Sequence, residues 1–284
     1  MIVNLNDVLK PAQKNHYAVG LFNAVNLEMT NAIMNTAEKL NAPVIIGTAE
    51  ILLGAADLAE CAAMVRARAE RSKVPVVLHY DHGLTYEKCL EAINLGFTSV
   101  MYDCSTLSYE ENVARVARMV KISHEKGVTV EGELGHVGDN DGEGKLAKPS
   151  DYYTDPDQAA DFVRKTGVDA LAVAIGNAHG DYRFPPKLDF DRISQIASAV
   201  DVPLVLHGGS GLSDDDFREA INRGIAKVNI FTDISKAQLH GIQEGIRNGV
   251  TNAFDLTPYE VRAIESVVEE KMYLFSCVDR EIQL

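Results

Sequence analysis

Eight short apolar runs set the rhythm of this chain. They are "YAVGLFN" (17–23), "PVIIGT" (43–48), "VPVVLHYD" (74–81), "TSVMYD" (98–103), "VTVEGEL" (128–134), "DALAVAIG" (169–176), "VPLVLHG" (202–208) and "IAKVNIFT" (225–232). Each is nearly continuous in Val, Ile and Leu, as a parallel strand covered on both faces should be. Helical patterns fill the gaps. Thr85 stands ahead of "YEKCLEAINL", which Gly96 ends; Asp155 precedes Pro156; Ser213 stands three residues before Asp216. These are helix-start signatures. Thr257, Pro258 and Glu260 open a last helix over about 258–275, and the region after Asp233 reads as two or more helices packed on the rest. Eight strands alternating with helices in 284 residues most simply close into a single (β/α)8 TIM barrel with extra C-terminal helices, one domain spanning 1–284. The alternative, a doubly wound open sheet, would show a GxGxxG after its first strand, and the sequence has none there.

With 46% hydrophobic residues the chain can bury a large core, and a net charge of -14 argues against nucleic-acid or anionic-membrane partners. The four cysteines, Cys61, Cys89, Cys104 and Cys277, lack CxxC spacing and read as reduced thiols of a cytoplasmic protein. The start "MIVNLNDVLKPAQKN" lacks the apolar core of a signal peptide, and no stretch is apolar long enough to span a bilayer.

Polar residues collect at the C-terminal ends of the predicted strands: Asn23, Thr48, Asp81 with His82, Asp103, Glu131 with Glu133, Asn177 with His179, His207 and Asn229. Barrel enzymes build their active sites at that end. His82, His179 and His207 come from three different strand ends, each beside a glycine. A lone histidine usually just hydrogen-bonds a neighbour; three at one mouth match a catalytic zinc site with one open position. His79 falls one layer deeper on the same face as Asp81, because side chains alternate along a strand, and is expected to be structural. His136 could reach the mouth from the glycine-rich stretch 135–156, which is long enough to be a lid. "HGGSGLS" (207–213) and "NIFTD" (229–233) follow the last two strands and precede helices, where barrel enzymes often hold a phosphate on backbone N–H groups; Gly180 could add a further one.

In these motifs the sequence resembles the class II, metal-dependent ketose-bisphosphate aldolases, of which fructose- and tagatose-bisphosphate aldolases are the known types. The resemblance runs from about Asn4 to Asp233 and rests on "FNAVNLE", "LHYDHG", "SVMYDCS", "VEGELGHVG", "AVAIGNAHGDY", "LVLHGGSGL" and "KVNIFTD". It implies Zn2+ held by His82, His179 and His207, and Asp81 as the catalytic acid/base. It makes Asp103 and Glu133 acidic neighbours of the metal that orient ligands or hold the ion in an alternative position. It assigns Gly180, Gly208, Ser210, Asn229 and Thr232 to the phosphate of dihydroxyacetone phosphate. It further implies a monovalent cation (Na+ or K+) near that phosphate, a homodimer or homotetramer, and room for an accessory subunit. The sequence departs from the family twice. The lid reads "GDNDGEG" where many relatives carry Gly-Gln-Glu-Asp, leaving Asp141 or Glu143 as proton-transfer candidates, and Ala49 stands where many place Ser or Thr. Both departures bear on the substrate.

The implied reaction is retro-aldol cleavage of a ketose 1-phosphate or 1,6-bisphosphate, of tagatose or fructose type, to dihydroxyacetone phosphate and an aldehyde. Asp81 would take the proton of the C4 hydroxyl. The alternatives are the same chemistry on a less phosphorylated or longer ketose, and a non-catalytic accessory barrel. A Schiff-base aldolase would need a lysine such as Lys227, which alternates with Asn229 and could equally pair with a carboxylate inside the barrel. A metal-dependent hydrolase would more usually show an HxH pair on its first strand, and "VGLFN" has none.

Overall fold

All eight apolar runs become parallel strands, each paired with the next and the last with the first. The computed structural model describes residues 1–137, 152–180, 187–280 and 282. A short β1 (Ile2–Val3) and α1 (Leu5–Lys14) lead into the repeating units β2 (Val19–Asn23), α2 (Leu27–Lys39), β3 (Val44–Ala49), α3 (Leu58–Ala69), β4 (Val76–Gly83), α4 (Tyr86–Asn94), β5 (Ser99–Tyr102) and α5 (Tyr109–His124). The second half continues as β6 (Thr129–Leu134), α6 (Pro156–Thr166), β7 (Ala170–Val173), α7 (Phe190–Ala199), β8 (Leu204–Leu206), α8 (Asp214–Arg223), β9 (Ile225–Ile230), α9 (Thr232–Arg247) and α10 (Thr257–Leu274). Strands β2 to β9 pair in sequence order, and β9 pairs back to β2 through Leu21↔Asn229 and its neighbours, so the barrel is closed. Closure removes the exposed sheet edges that an open parallel sheet would have to cover.

The helix signatures act as expected. Asp155 accepts from the N–H groups of Asp157 and Gln158, Pro156 occupies the first turn, and Gly167 ends α6 in the left-handed region at φ 72°. Ser213 and Asp216 form a reciprocal capping box on α8. Thr85 precedes α4, but its side chain does not cap it. Two expectations are refined. The region after Asp233 holds the helix of the last β/α unit, α9, and among the described residues one further α-helix, α10, which packs on α9 and α2. The N-terminal helix α1 was not anticipated, because Pro11 lies inside it; the Asn4–Asp7 capping box starts it nonetheless.

The apolar core lies chiefly between the strands and the helices. Leu78 and Tyr80 face outward from β4, and Tyr80 meets Phe97 edge-on at 6.0 Å. The barrel interior near the mouth is polar instead. His79 Nδ1 lies 2.7 Å from Ser99 Oγ, and Lys227 Nζ donates to Glu131 Oε2 at 2.7 Å. Both Lys227 and Glu131 are fully buried, so each depends on the other for charge compensation. Lys227→Met should therefore cost about 3–5 kcal/mol of stability, the range for breaking a buried pair, as read by urea unfolding. A loss within experimental error would show that Glu131 does not need this partner.

Candidate active site

His82, His179 and His207 meet at the C-terminal mouth of the barrel. The ring centroids of His82 lie 4.8 Å from His179 and 4.5 Å from His207, with 5.8 Å between the latter two. One ligand atom from each falls within 4.8 Å of the others. His82 comes from the end of β4, His207 directly follows β8, and His179 sits on the loop after β7. That loop begins sooner than the sequence suggests, since β7 ends at Val173. Asn177 secures it: its amide donates to the His207 carbonyl at 3.0 Å while its Oδ1 accepts from Ile175 N at 2.9 Å.

Carboxylates hold the far side of two of these rings. Asp103 Oδ2 lies 2.8 Å from His82 Nδ1, and Glu131 Oε1 lies 2.9 Å from His207 Nε2. His82 Nε2, opposite Asp103, is buried without a hydrogen bond among the described residues, while His207 Nδ1 faces Glu133 Oε2. A buried imidazole nitrogen left bare while its partner nitrogen is fixed by a carboxylate is the usual arrangement of a metal-ligating histidine. Burial, joined by His82 and His207, lowers the His179 pKa to about 3, which favours the neutral ring that metal binding requires. Burial also works to lower the His207 pKa, but contacts with Glu131 and Glu133 outweigh it and push the value up to about 10. Positive charge is thus favoured between those carboxylates, and a divalent ion would supply it. The donor set fits a catalytic zinc-type ion. Glu133 Oε2 lies 3.4 Å from His207 Nδ1, and Glu133 groups with His82 and Asp103 as a second candidate cluster.

Asp81 is buried beside this cluster and bracketed by two amides. Asn23 Nδ2 donates to Oδ2 at 2.8 Å and Asn229 Nδ2 to Oδ1 at 3.0 Å. Burial acts to raise its pKa, yet the surrounding His82, Lys227, His207 and His79 hold it well below the usual carboxylate range. The group is an ionised base locked in one orientation. Asn229, expected at the phosphate loops, also reaches Asp81 with its side-chain amide. Asn23 was visible only as the polar end of "VGLFN"; that it shares a face with the inward Leu21, two residues back, is the signal that could have paired it with Asp81.

The glycine-rich turns after β8 and β9 come together beside the cluster. At Gly208 (φ 63°) an added Cβ would stand 2.0 Å from the Ala178 carbonyl, so only glycine lets the two loops approach this closely. Gly209 N donates to Asn229 O at 3.2 Å, and Ser210 Oγ accepts from Asp233 N at 3.3 Å, which puts the hydroxyl at the start of α9 next to Thr232. Gly180 is exposed on the loop that carries His179, also at positive φ (76°). His136 lies 3.4 Å from Ser105 and lines a cleft of about 370 Å³ with Asn112, Leu134 and Tyr152. Asp141 and Glu143 lie outside the described residues. Lys227 is committed to Glu131, which leaves it poorly placed as a Schiff-base nucleophile. The cysteines are all buried and free of disulfides, and no helix among the described residues is long and apolar enough to cross a membrane.

A closed parallel barrel with a metal-ready mouth and a buried base defines a barrel enzyme. Residues 3–280 match the family model for fructose-bisphosphate aldolase class-II. A fructose-bisphosphate aldolase from Staphylococcus aureus is 40% identical over 274 residues, covering 94% of each chain. The crystal structure of the YdjI aldolase from Escherichia coli K12 superposes with a TM-score of 0.89 at 36% identity, over 98% of this chain and 99% of that one. A fructose-bisphosphate aldolase from Campylobacter jejuni, at 23% identity, shares the fold, with a TM-score of 0.82 over 99% of this chain and 97% of that one. The chain belongs to the class-II fructose-bisphosphate aldolase family. It is an aldolase, a lyase of carbon–carbon bonds.

The carboxylate behind His82 gives a direct test of the metal cluster. Asp103→Asn should weaken cobalt(II) binding by roughly 10–100-fold, the usual effect of losing such a partner, measured by equilibrium titration. Unchanged affinity would remove Asp103 from the site.

Proposed function

We propose that this aldolase is zinc-dependent and cleaves a ketose 1-phosphate or 1,6-bisphosphate, of tagatose or fructose type, to dihydroxyacetone phosphate and an aldehyde. The observation that carries the reading is Asp81, an ionised, doubly anchored base next in sequence to His82 of the three-histidine cluster. His82, His179 and His207 would hold the zinc, which would supply Lewis acidity toward a ketone oxygen. The protein does the rest by position and proton transfer. Asp81 accepts the C4 hydroxyl proton as the C3–C4 bond breaks, and returns it in condensation. Asn23 and Asn229 hold the carboxylate so that one oxygen meets that hydroxyl without reorganisation. Asp103 and Glu131 orient the ligand rings, with Glu133 beside them as an alternative ligand for the ion. Gly180, Gly208, Ser210 and Thr232, with the backbone at Asn229, bind the 1-phosphate, and a monovalent cation joins it there. Holding that remote group would position the ketone beside the three histidines. C3 of the three-carbon fragment takes its proton from Asp141 or Glu143. We read the enzyme as a cytoplasmic homodimer or homotetramer, one domain per chain.

Purified protein should release dihydroxyacetone phosphate from at least one member of a panel of 1-phosphorylated ketoses, differing at C4 and in the second phosphate. Activity should vanish in chelator and return with zinc or cobalt. Full activity in chelator, with borohydride trapping at Lys227, would overturn the metal-dependent reading. No cleavage anywhere in the panel would favour a less phosphorylated or longer ketose, or an accessory barrel.

Asp81→Ala should lower kcat by about 10²–10⁴-fold, the usual contribution of a general base, while bound metal stays near wild type. Loss of metal with unchanged turnover per bound ion would move Asp81 from proton transfer to metal retention.

A further inference from the structure

Asp81 and His82 are adjacent in sequence, yet both belong to the mouth. Side chains on a regular strand alternate between faces, so two neighbours can share one site only where the ladder breaks. β4 breaks there. It pairs with β5 as His79↔Ser99 and Tyr80↔Val100, and resumes at Gly83↔Tyr102, three residues advanced on β4 against two on β5. The extra residue is a β-bulge. At its centre His82 has φ 42°, in the left-handed region that residues other than glycine avoid. Such a conformation persists only where the surroundings over-determine it.

On one side of the bulge the packing is rigid. A Cβ on Gly83 would stand 2.6 Å from Cys89 Sγ and 2.8 Å from the Met101 carbonyl, and Asp103 N donates to Gly83 O at 2.9 Å. The chain then leaves the barrel at Leu84 and Thr85, where the ladder offers nothing further. A carboxylate from the 3-10 turn that follows β3 takes over. Glu50 Oε2 accepts from Tyr80 OH at 2.8 Å, from Leu84 N at 2.7 Å and from Thr85 N at 3.2 Å, while Oε1 accepts from Thr85 Oγ1 at 3.3 Å. One side chain thus holds the strand before the bulge and the backbone after it. The same contacts account for Thr85, whose hydroxyl goes to Glu50 instead of capping α4.

We propose that Glu50 is a positioning residue of the active site: its carboxylate clamps the bulge that turns Asp81 and His82 into the same mouth. It touches neither metal nor substrate and acts through the backbone between Tyr80 and Thr85. The inference rests on the metal reading of the three histidines given above.

Glu50→Ala and Glu50→Gln test it alongside the wild type, with cobalt(II) as the probe. Glu50→Ala should weaken cobalt binding roughly 10–100-fold, as loss of an outer-shell support does, and shift the visible absorption of the bound ion. Glu50→Gln, which keeps the size but loses the charge, should fall between. In both, kcat should drop more than KM rises, and amide exchange over residues 80–85 of the metal-free protein should accelerate. A fall in melting temperature with cobalt affinity, spectrum and exchange unchanged would make Glu50 merely structural and overturn the proposal. Should Glu50→Ala fail to fold, the same readings on Glu50→Gln decide. A wild type that binds no cobalt would refute the metal reading instead; exchange in the metal-free proteins then decides the clamp, and unchanged exchange overturns it.

Discussion

Glu131 is the group on which the site's electrostatics turn. One of its oxygens takes the Lys227 ammonium and the other meets His207 Nε2, so a single buried carboxylate links the buried lysine to the histidine cluster. Burial alone would raise its pKa; Lys227 first, and then the bond to His207, hold it down at about 2. The same lysine helps keep Asp81 ionised and His79 neutral, the latter lowered to about 3 by burial and by Lys227. Four carboxylates, those of Asp81, Asp103, Glu131 and Glu133, crowd around this end of the barrel, and Lys227 is the lysine buried among them. Desolvated negative charge on that scale calls for a further cation. A divalent ion held by the three imidazoles would meet that demand, and the same carboxylates, Glu131 and Glu133, push the His207 pKa up to about 10.

The base and the ligands are kept apart by the same economy of contacts. Asp81 spends a lone pair of each oxygen on an amide, from Asn23 on β2 and from Asn229 on β9. Those strands pair with one another through Leu21↔Asn229, so the two donors approach the carboxylate from neighbouring strands and fix its plane. An amide neither accepts the proton nor adds charge. The two donors instead fix the plane of the carboxylate and, by bonding to its charged form, help keep it ionised.

Most of this was legible in the chain because it is periodic or local. The eight apolar runs report burial on both faces, and the polar residues at their ends report which end is the mouth. The three histidines and Asp81 stand out because each is costly to bury without a purpose. The rest is illegible for identifiable reasons. Asn23 and Glu131 make contacts that cross the barrel, and their partners, Asp81 and Lys227, lie 58 and 96 residues away. The bulge at His82 has no local signature, since the residue in the left-handed conformation is not a glycine. Glu50 looks like any loop acid, because what it holds is backbone, which sequence does not label. Helix α1 is masked by Pro11, which breaks the pattern without breaking the helix.

These interior contacts leave a question of stability. A barrel usually fills its centre with layers of Val, Ile and Leu, and here the upper layers are given over to ions and amides. The hydrophobic effect must then act mainly in the outer shell. There Gly132 turns an empty face to α6, where a Cβ would stand 3.0 Å from Phe162 and from Val168, so strand and helix pack at backbone distance. Beyond the last β/α unit, α10 buries Ile264, Val268 and Met272, and Phe275 packs edge-on against Phe217 at 5.3 Å while its carbonyl accepts from Ala18 N, next to the start of β2. The extra helix thus adds apolar burial along α9 and α2 and ties its end to the start of β2. Stability drawn from the outer shell is what allows the mouth to hold strained backbone, a bare His82 nitrogen and closely set carboxylates, each of which would be destabilising on its own.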